Sequence, residues 1–309
     1  MINMSLIVDG TEIPTTGTIN FNGINLEKII FDGVIVWSKE AIMSRKRFLC
    51  GNWKMNKTWD ESITLAQQIL AAGVNTTNPE TVLAPATCNL KAVANTVGTT
   101  LGVCSQFVSN AASGAYTGQV SAAMLANVGC KYAIINHSET MYFGMTPEAV
   151  AEDGQASFYN NFNVISGQLE QCFANNLTPI LCCGESLTIR EKEAYTSWVE
   201  YQLRMSLNGI GADQVKAMII SYEPIWAIGT GKTATPEQVE IMCEHIRNII
   251  ASMYDNTIAE QVRIIYGGSM KASNASEWLS QPNIDGGLVG GPSLNAANFA
   301  ALWNAFNNN

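Results

Sequence analysis

Residues 221–232 read SYEPIWAIGTGK. The residues before them, VKAMIIS (215–221), are apolar and β-branched enough to predict a buried strand. Glu223 then falls where a strand stops and a loop begins. Pro224 and Trp226 stiffen the start of that loop, while Gly229 and Gly231 let its tip take positive φ or approach a ligand closely. A stiff entry with a polar, glycine-punctuated tip predicts a lid that closes as one piece.

The pattern around this stretch repeats along the chain. Eight strand-like runs are RFLCGN, TVLAP, LGVCSQ, YAIINH, TPILCCG, VKAMIISYE, VRIIYGG and GGLVGG, and each is followed by helical periodicity or a helix-start signal. Thr58-x-x-Glu61, Thr188-x-x-Glu191 and Thr235-Pro236-Glu237-Gln238 fit capping boxes, the last with proline at the first helical position. Eight βα units in roughly 265 residues predict an α/β fold, a (β/α)8 barrel, whose usual size is ~250 residues. A doubly wound open sheet is the alternative. It needs a glycine fingerprint after the first strand, and GNWKMN is not one.

Residues 1–43 differ from the rest. Alternating runs TINFNG and KIIFDGVIVW, with turn signals Asn22-Gly23 and Asp32-Gly33, predict small β-hairpins. The expected organisation is a small β-rich extension over 1–43, of unknown role and partner, followed by a barrel over 44–309.

The formal charge of −9, from 17 Lys+Arg against 26 Asp+Glu, argues against a nucleic-acid partner; an anionic ligand would need a local cationic or amide-lined pocket. The eight cysteines form no C-x-x-C pair, which argues against a zinc site. No charged segment followed by an apolar one opens the chain, and no apolar run reaches the ~18 residues needed to cross a bilayer. A reducing cytoplasm and free thiols are the expectation.

In a barrel, chemistry sits at the C-terminal ends of strands. The polar residues there are Asn52, Lys54, Gln106, Asn136, His137, Glu185, Glu223 and Ser269. A lone histidine in an apolar run is often structural, but His137 ends its strand. His245, within CEHIRNII, reads as packing or surface. Lys54 is a cation at the expected mouth of an acidic protein. Gly267-Gly268 and Gly290-Gly291 follow the seventh and eighth strands, where backbone N–H groups frequently bind phosphate. A thiol nucleophile at Cys182-Cys183 lacks a second histidine to act as its base.

GNWKMN, HSE, CCGE, YEPIWAIGTGK, YGGS and LVGG together resemble the signatures of the triosephosphate isomerase family, in that family's order and close to its spacing, over about residues 45–307. The resemblance implies interconversion of dihydroxyacetone phosphate and D-glyceraldehyde 3-phosphate, with no cofactor and no metal. Glu223 matches the general base and His137 the neutral imidazole, a pairing for which this family is the standard illustration. Lys54 and Asn52 match the substrate-holding cation and its neighbouring amide, and Glu139 the carboxylate near that lysine. Gly229, Ser269, Gly290 and Gly291 match the phosphate donors. Pro224, Ile225, Trp226, Ala227, Ile228, Gly229, Thr230, Gly231, Lys232, Thr233 and Ala234 match the lid, and Tyr266 with Ala234 a contact that holds it shut. Glycolysis and gluconeogenesis are the implied settings.

Some positions depart from the family's pattern. Thr140 and Met141 stand where two arginines usually follow HSE, Gln119 where a glutamate is favoured, Phe107 for an asparagine and Asn136 for a glycine. A homodimer through the loop around Phe107–Ser121 is implied, with an altered contact. The region 144–163 holds an apparent insertion. A barrel serving as a non-catalytic scaffold, attached through the N-terminal module, is the competing expectation.

Overall fold

The computed structural model describes residues 4–8, 11–15, 28–31, 34–38, 45–141, 162–228 and 231–307. The chain divides into two compact units, Met1–Arg45 and Lys46–Asn309.

The first unit holds strands β1 (Met4–Val8), β2 (Thr11–Thr15), β3 (Lys28–Phe31) and β4 (Val34–Ser38) in the sheet order β2-β1-β3-β4. All pairs are antiparallel, and β3 and β4 shift register between Ile29 and Ile30. The turn signals at Asn22-Gly23 and Asp32-Gly33, and the run TINFNG, lie outside the described residues.

The second unit is a closed barrel of parallel strands, and an open doubly wound sheet is thereby excluded. Its strands are β5 (Phe48–Asn52), β6 (Glu80–Ala84), β7 (Gly102–Ser105), β8 (Tyr132–Ile135), β9 (Thr178–Cys183), β10 (Ile219–Tyr222), β11 (Arg263–Gly267) and β12 (Gly286–Val289). Each strand is buried on both faces, so its alternation separates two apolar layers. Phe48, Cys50, Val82, Cys104, Ile134, Ile180, Cys182, Ile219 and Ile265 fill the barrel interior. Leu49, Leu83, Val103, Ile135, Leu181, Ile220, Tyr222, Ile264 and Val289 face the surrounding helices.

The capping expectations divide. Thr58 opens helix Trp59–Ala71, and its N–H donates to Glu61 at 2.8 Å. Thr235 opens helix Pro236–Met253: Gln238 N–H reaches the Thr235 hydroxyl at 3.3 Å, and the Gln238 side chain accepts from Thr235 N–H at 3.0 Å. Thr188 is not a cap. Helix Leu187–Glu191 starts two residues earlier than that cap would place it, capped by Ser186. The run VKAMIIS is also not one strand. Val215–Ala217 closes helix Ala212–Ala217, and the strand starts only at Ile219. Hydrophobicity alone does not separate the buried end of a short helix from a buried strand.

Arg247 fixes the C-terminal half of the barrel. It is 5% exposed and donates to Val262 O at 3.0 Å, Asn283 Oδ1 at 2.7 Å and Asp285 Oδ2 at 3.2 Å. Asp285 Oδ2 also accepts from Ile264 N at 2.8 Å, so one carboxylate joins helix Pro236–Met253 to the starts of β11 and β12. Removing one partner of a buried pair leaves the other charge uncompensated. Asp285→Ala is expected to lower stability by about 3–5 kcal/mol in denaturant titration, well above the ~1 kcal/mol of a typical substitution.

Candidate active site

Strand alternation brings the first group into place. On β10, Ile219 and Ser221 point inward and Tyr222 outward, so the next residue, Glu223, returns to the barrel side. Its backbone N–H bonds Cys183 O at 2.8 Å, which extends the ladder one step past the strand. Gly184 makes this approach possible: a Cβ there would lie 1.8 Å from Glu223 O. Gly267 makes room for the side chain, since a Cβ there would lie 2.7 Å from Glu223 Cγ.

The second group needs the alternation broken. Ile134 faces inward and Ile135 outward, so an unbroken strand would aim residue 137 away from the barrel axis. Asn136 adopts φ 60°, which turns the chain, and His137 comes to line the cavity. Asparagine is among the few residues that take this conformation readily, and Asn136 Nδ2 bonds Cys182 O at 3.2 Å. The departure from glycine at this position therefore keeps the backbone geometry glycine would allow.

Glu223 is 2% exposed, and its Oε1 lies 3.1 Å from His137 Nε2. Its Oε2 accepts from Ser138 N–H at 2.9 Å, at the start of the short helix Ser138–Met141. In the same turn Glu139 N–H donates to His137 Nδ1 at 3.1 Å. An N–H aimed at Nδ1 requires a lone pair there, so the ring carries its proton on Nε2, toward Glu223 and the cavity.

Lys54 reaches the same mouth from β5. It has φ 52°, held on both sides: Lys54 N–H donates to Asn52 Oδ1 at 3.0 Å, and Lys54 O accepts from Gln106 Nε2 at 2.9 Å. Its ammonium is 2.5 Å from Glu139 Oε1. Gln106 is thus a supporting residue that its strand-end position alone did not assign to the site.

These groups surround a cavity of about 390 Å³. Asn52, Lys54, His137 and Glu223 line it together with Gly267, Gly268, Ser269, Gly290 and Gly291. Ile228, Met270, Lys271, Leu288 and Pro292 also line it, and of these only Ile228 is among the site positions that the resemblance implies. His245 lies elsewhere, on helix Pro236–Met253, with Nε2 3.1 Å from Thr196 O. Cys182 and Cys183 are buried, and burial pushes both thiols well above their ordinary range, so neither is a ready thiolate.

The loop after Glu223 begins as a buried 3₁₀ turn, Ile225–Ala227, behind the buried Pro224. Gly229 and Thr230 lie outside the described residues, as does most of the apparent insertion. Gly231 has φ 76°, Lys232 and Thr233 are exposed, and Ala234 is buried. The Tyr266 hydroxyl meets the Ser269 backbone, and its ring stacks on Trp278 at 4.2 Å.

Glu185 anchors the start of this loop. It is fully buried and accepts from Trp226 Nε1 at 3.0 Å, Tyr222 OH at 3.0 Å and Arg190 Nη1 at 3.0 Å. Burial pushes its carboxyl up to about 7, with the Arg190 charge and the Tyr222 hydroxyl pulling the other way. The sequence marks it only by its place at a strand end and as the last residue of CCGE, with no partner indicated.

A closed parallel barrel with ionisable groups from several strands meeting at one end belongs to the class of barrel enzymes that work at the C-terminal mouth. The triosephosphate isomerase family model matches residues 47–306. A triosephosphate isomerase of Acetivibrio thermocellus is 44% identical over 261 residues, covering 84% of this chain and 98% of that relative. Those of Rhodopirellula baltica and Lactobacillus delbrueckii subsp. lactis are 42% and 41% identical, each over 85% of this chain and 98% and 99% of the relative. The chain belongs to the triosephosphate isomerase family.

The raised Glu185 carboxyl makes the start of the loop after Glu223 sensitive to pH. The folded state keeps a proton that the unfolded chain releases near 4.5, so the stability this group contributes is full below about 4.5 and lost as pH rises through about 7. Trp226 fluorescence, taken as a difference against Trp226→Phe, should change with a midpoint near 7, and that change should vanish in Glu185→Gln.

Proposed function

We propose that this chain interconverts dihydroxyacetone phosphate and D-glyceraldehyde 3-phosphate through an enediolate. The observation that carries the reading is the 3.1 Å approach of Glu223 Oε1 and His137 Nε2 at a cavity also lined by Gly267, Gly268, Ser269, Gly290 and Gly291.

Glu223 is the base. Its carboxylate takes a proton from the carbon beside the substrate carbonyl and returns it to the neighbouring carbon. The C–H electron pair moves into the new C=C bond, and the carbonyl oxygen takes the negative charge. His137 Nε2–H faces that oxygen and relays a proton between the two substrate oxygens. A neutral imidazole suits this donation better than a strongly acidic imidazolium, and the Glu139 N–H on Nδ1 favours the needed tautomer. Lys54 and Asn52 hold the oxygens where charge develops, with Glu139 orienting the lysine. Backbone N–H groups at Gly229, Ser269, Gly290 and Gly291 hold the phosphate.

Glu223 must exchange the Ser138 N–H for substrate, so a local rearrangement precedes proton transfer. The lid, Pro224 to Ala234, closes over the cavity, excludes water and suppresses loss of phosphate from the enediolate. Its tip swings on the Glu185-anchored hinge, and a Tyr266–Ala234 contact holds it shut. No cofactor or metal enters this mechanism.

A homodimer through the loop around Phe107–Ser121 fits the exposed Met55, Tyr116 and Met124. Gln119, at an altered position, is held inside its own loop by the Ser109 hydroxyl at 2.6 Å. Sedimentation should give twice the 33.4 kDa chain mass. Eight unpaired cysteines suit a reducing cytoplasm. The role of the extension 1–43 is read by comparing the full chain with one starting at Met43: equal turnover would make the extension a tether for the barrel at 44–309, and a lost rate would make it part of the fold.

The test is turnover of D-glyceraldehyde 3-phosphate in a coupled assay. Glu223→Asp draws the carboxylate back by about one bond length, and a misplacement near 1 Å costs about 100-fold, so kcat should fall at least that far. His137→Gln should cost about 10²–10⁴-fold. A correctly folded wild-type protein without turnover would instead favour the scaffold reading.

A further inference from the structure

Two cations line the cavity, Lys54 and Lys271, and they are not equivalent. The Lys54 ammonium is 2.5 Å from Glu139 Oε1, so its charge is already offset. Lys271 is exposed and makes no ion pair among the described residues. Its main chain is pinned, however. Lys271 N–H donates to Asn274 Oδ1 at 2.9 Å, and Asn274 Nδ2 donates to Ser269 O at 3.3 Å. One asparagine therefore holds together the segment that presents both Ser269 and Lys271 to the cavity. The lysine has a fixed base and a long, mobile stem.

The charges around the mouth give this placement a purpose. The formal charges of Lys54, Glu139 and Glu223 sum to −1, and the chain as a whole carries −9. An incoming phosphate dianion meets repulsion at long range and no surplus of positive charge from those three groups. Lys271 brings the local sum to zero, and it does so beside Gly268, Ser269, Gly290 and Gly291. We propose that Lys271 is the residue that recruits the substrate's phosphate dianion and delivers it to the glycine-serine cradle. It is a binding residue that acts on encounter, not a member of the proton-transfer machinery. The identity of the substrate rests on the isomerase reading; the dianion site does not.

Ionic strength and charge-changing variants test this. A unit charge about 8 Å from a dianion in water changes an encounter about fivefold. At about 0.01 M ionic strength, where the Debye length is ~30 Å, K271Q should lower kcat/KM about fivefold and leave kcat unchanged; K271E should lose more, and K271R should match the wild type. At about 1 M, where the Debye length is ~3 Å, all four proteins should converge. Calorimetric titration of the full chain with inorganic phosphate gives a readout independent of turnover, and K271Q should bind at least about threefold more weakly at low ionic strength. The inference fails if K271Q equals the wild type at low ionic strength, if its deficit persists at high salt, or if the loss falls on kcat. If the wild type shows no turnover but still binds phosphate through Lys271, the isomerase reading falls and the dianion site stands.

Discussion

A parallel strand buried on both faces sends alternate side chains to the barrel interior and to the helical layer, and this alternation controls what can reach the mouth. On β10 it places Ile219, Ser221 and Glu223 on one side and Ile220 and Tyr222 on the other. A slip of one residue would exchange Glu223 with Tyr222 and leave the mouth without its carboxylate. On β5 the same rule carries Cys50 inward, and Asn52 at the strand's end lines the cavity, while Trp53 packs outward and Lys54 reaches the cavity from just past the strand. β8 is the exception. Regular alternation would have lost His137 to the helical side, and the left-handed turn at Asn136 recovers it. The site therefore depends on strand alternation and on left-handed residues just past two strand ends, Lys54 after β5 and Asn136 after β8.

Glu185 and Glu223 end neighbouring strands, and their surroundings give them different work. Glu185 is enclosed by an indole, a phenol and a guanidinium, all donating to it. Every one of those donors belongs to the loop's hinge or to its support, so the carboxylate acts as a fastening. Glu223 receives one backbone N–H and one imidazole, and it faces the cavity. A carboxylate with few fixed donors and open space before it can move onto a substrate. Gly184 lies between the two, and the close backbone approach there holds their spacing.

The repeating strands, the barrel and the residues at its mouth were legible because each rests on local signals: apolar runs, strand-end polar residues and glycine pairs. Lys54, His137, Glu223, Ser269 and Gly290 do line one cavity. Features set by three-dimensional packing were not legible. Val215–Ala217 carries the composition of a strand, yet it closes a helix. Ser186, not Thr188, opens its helix, because either residue can cap and only the chain path selects one. Gln106 holds Lys54 O across 52 residues of sequence, and the donors to Glu185 come from as far as 41 residues away. No spacing rule within a single chain reports such partners.

The charge arrangement answers two opposing demands. On the proposed reading the cavity holds a dianion, and a fixed cation beside Glu223 would work against its role as the base. Backbone amides meet the first demand without violating the second, because they offer dipoles and no net charge. The glycines at 267, 268, 290 and 291 leave those amides uncovered by side chains. Lys54, the cation nearest the chemistry, is paired with Glu139, so its field at Glu223 is partly cancelled. Lys271 is solvent-exposed, where water screens it from Glu223 while leaving it accessible to a ligand arriving from solution. On that reading the exposed Lys271 meets an incoming phosphate while the cation nearest Glu223 is paired, so an acidic chain could bind an anion without disarming its base.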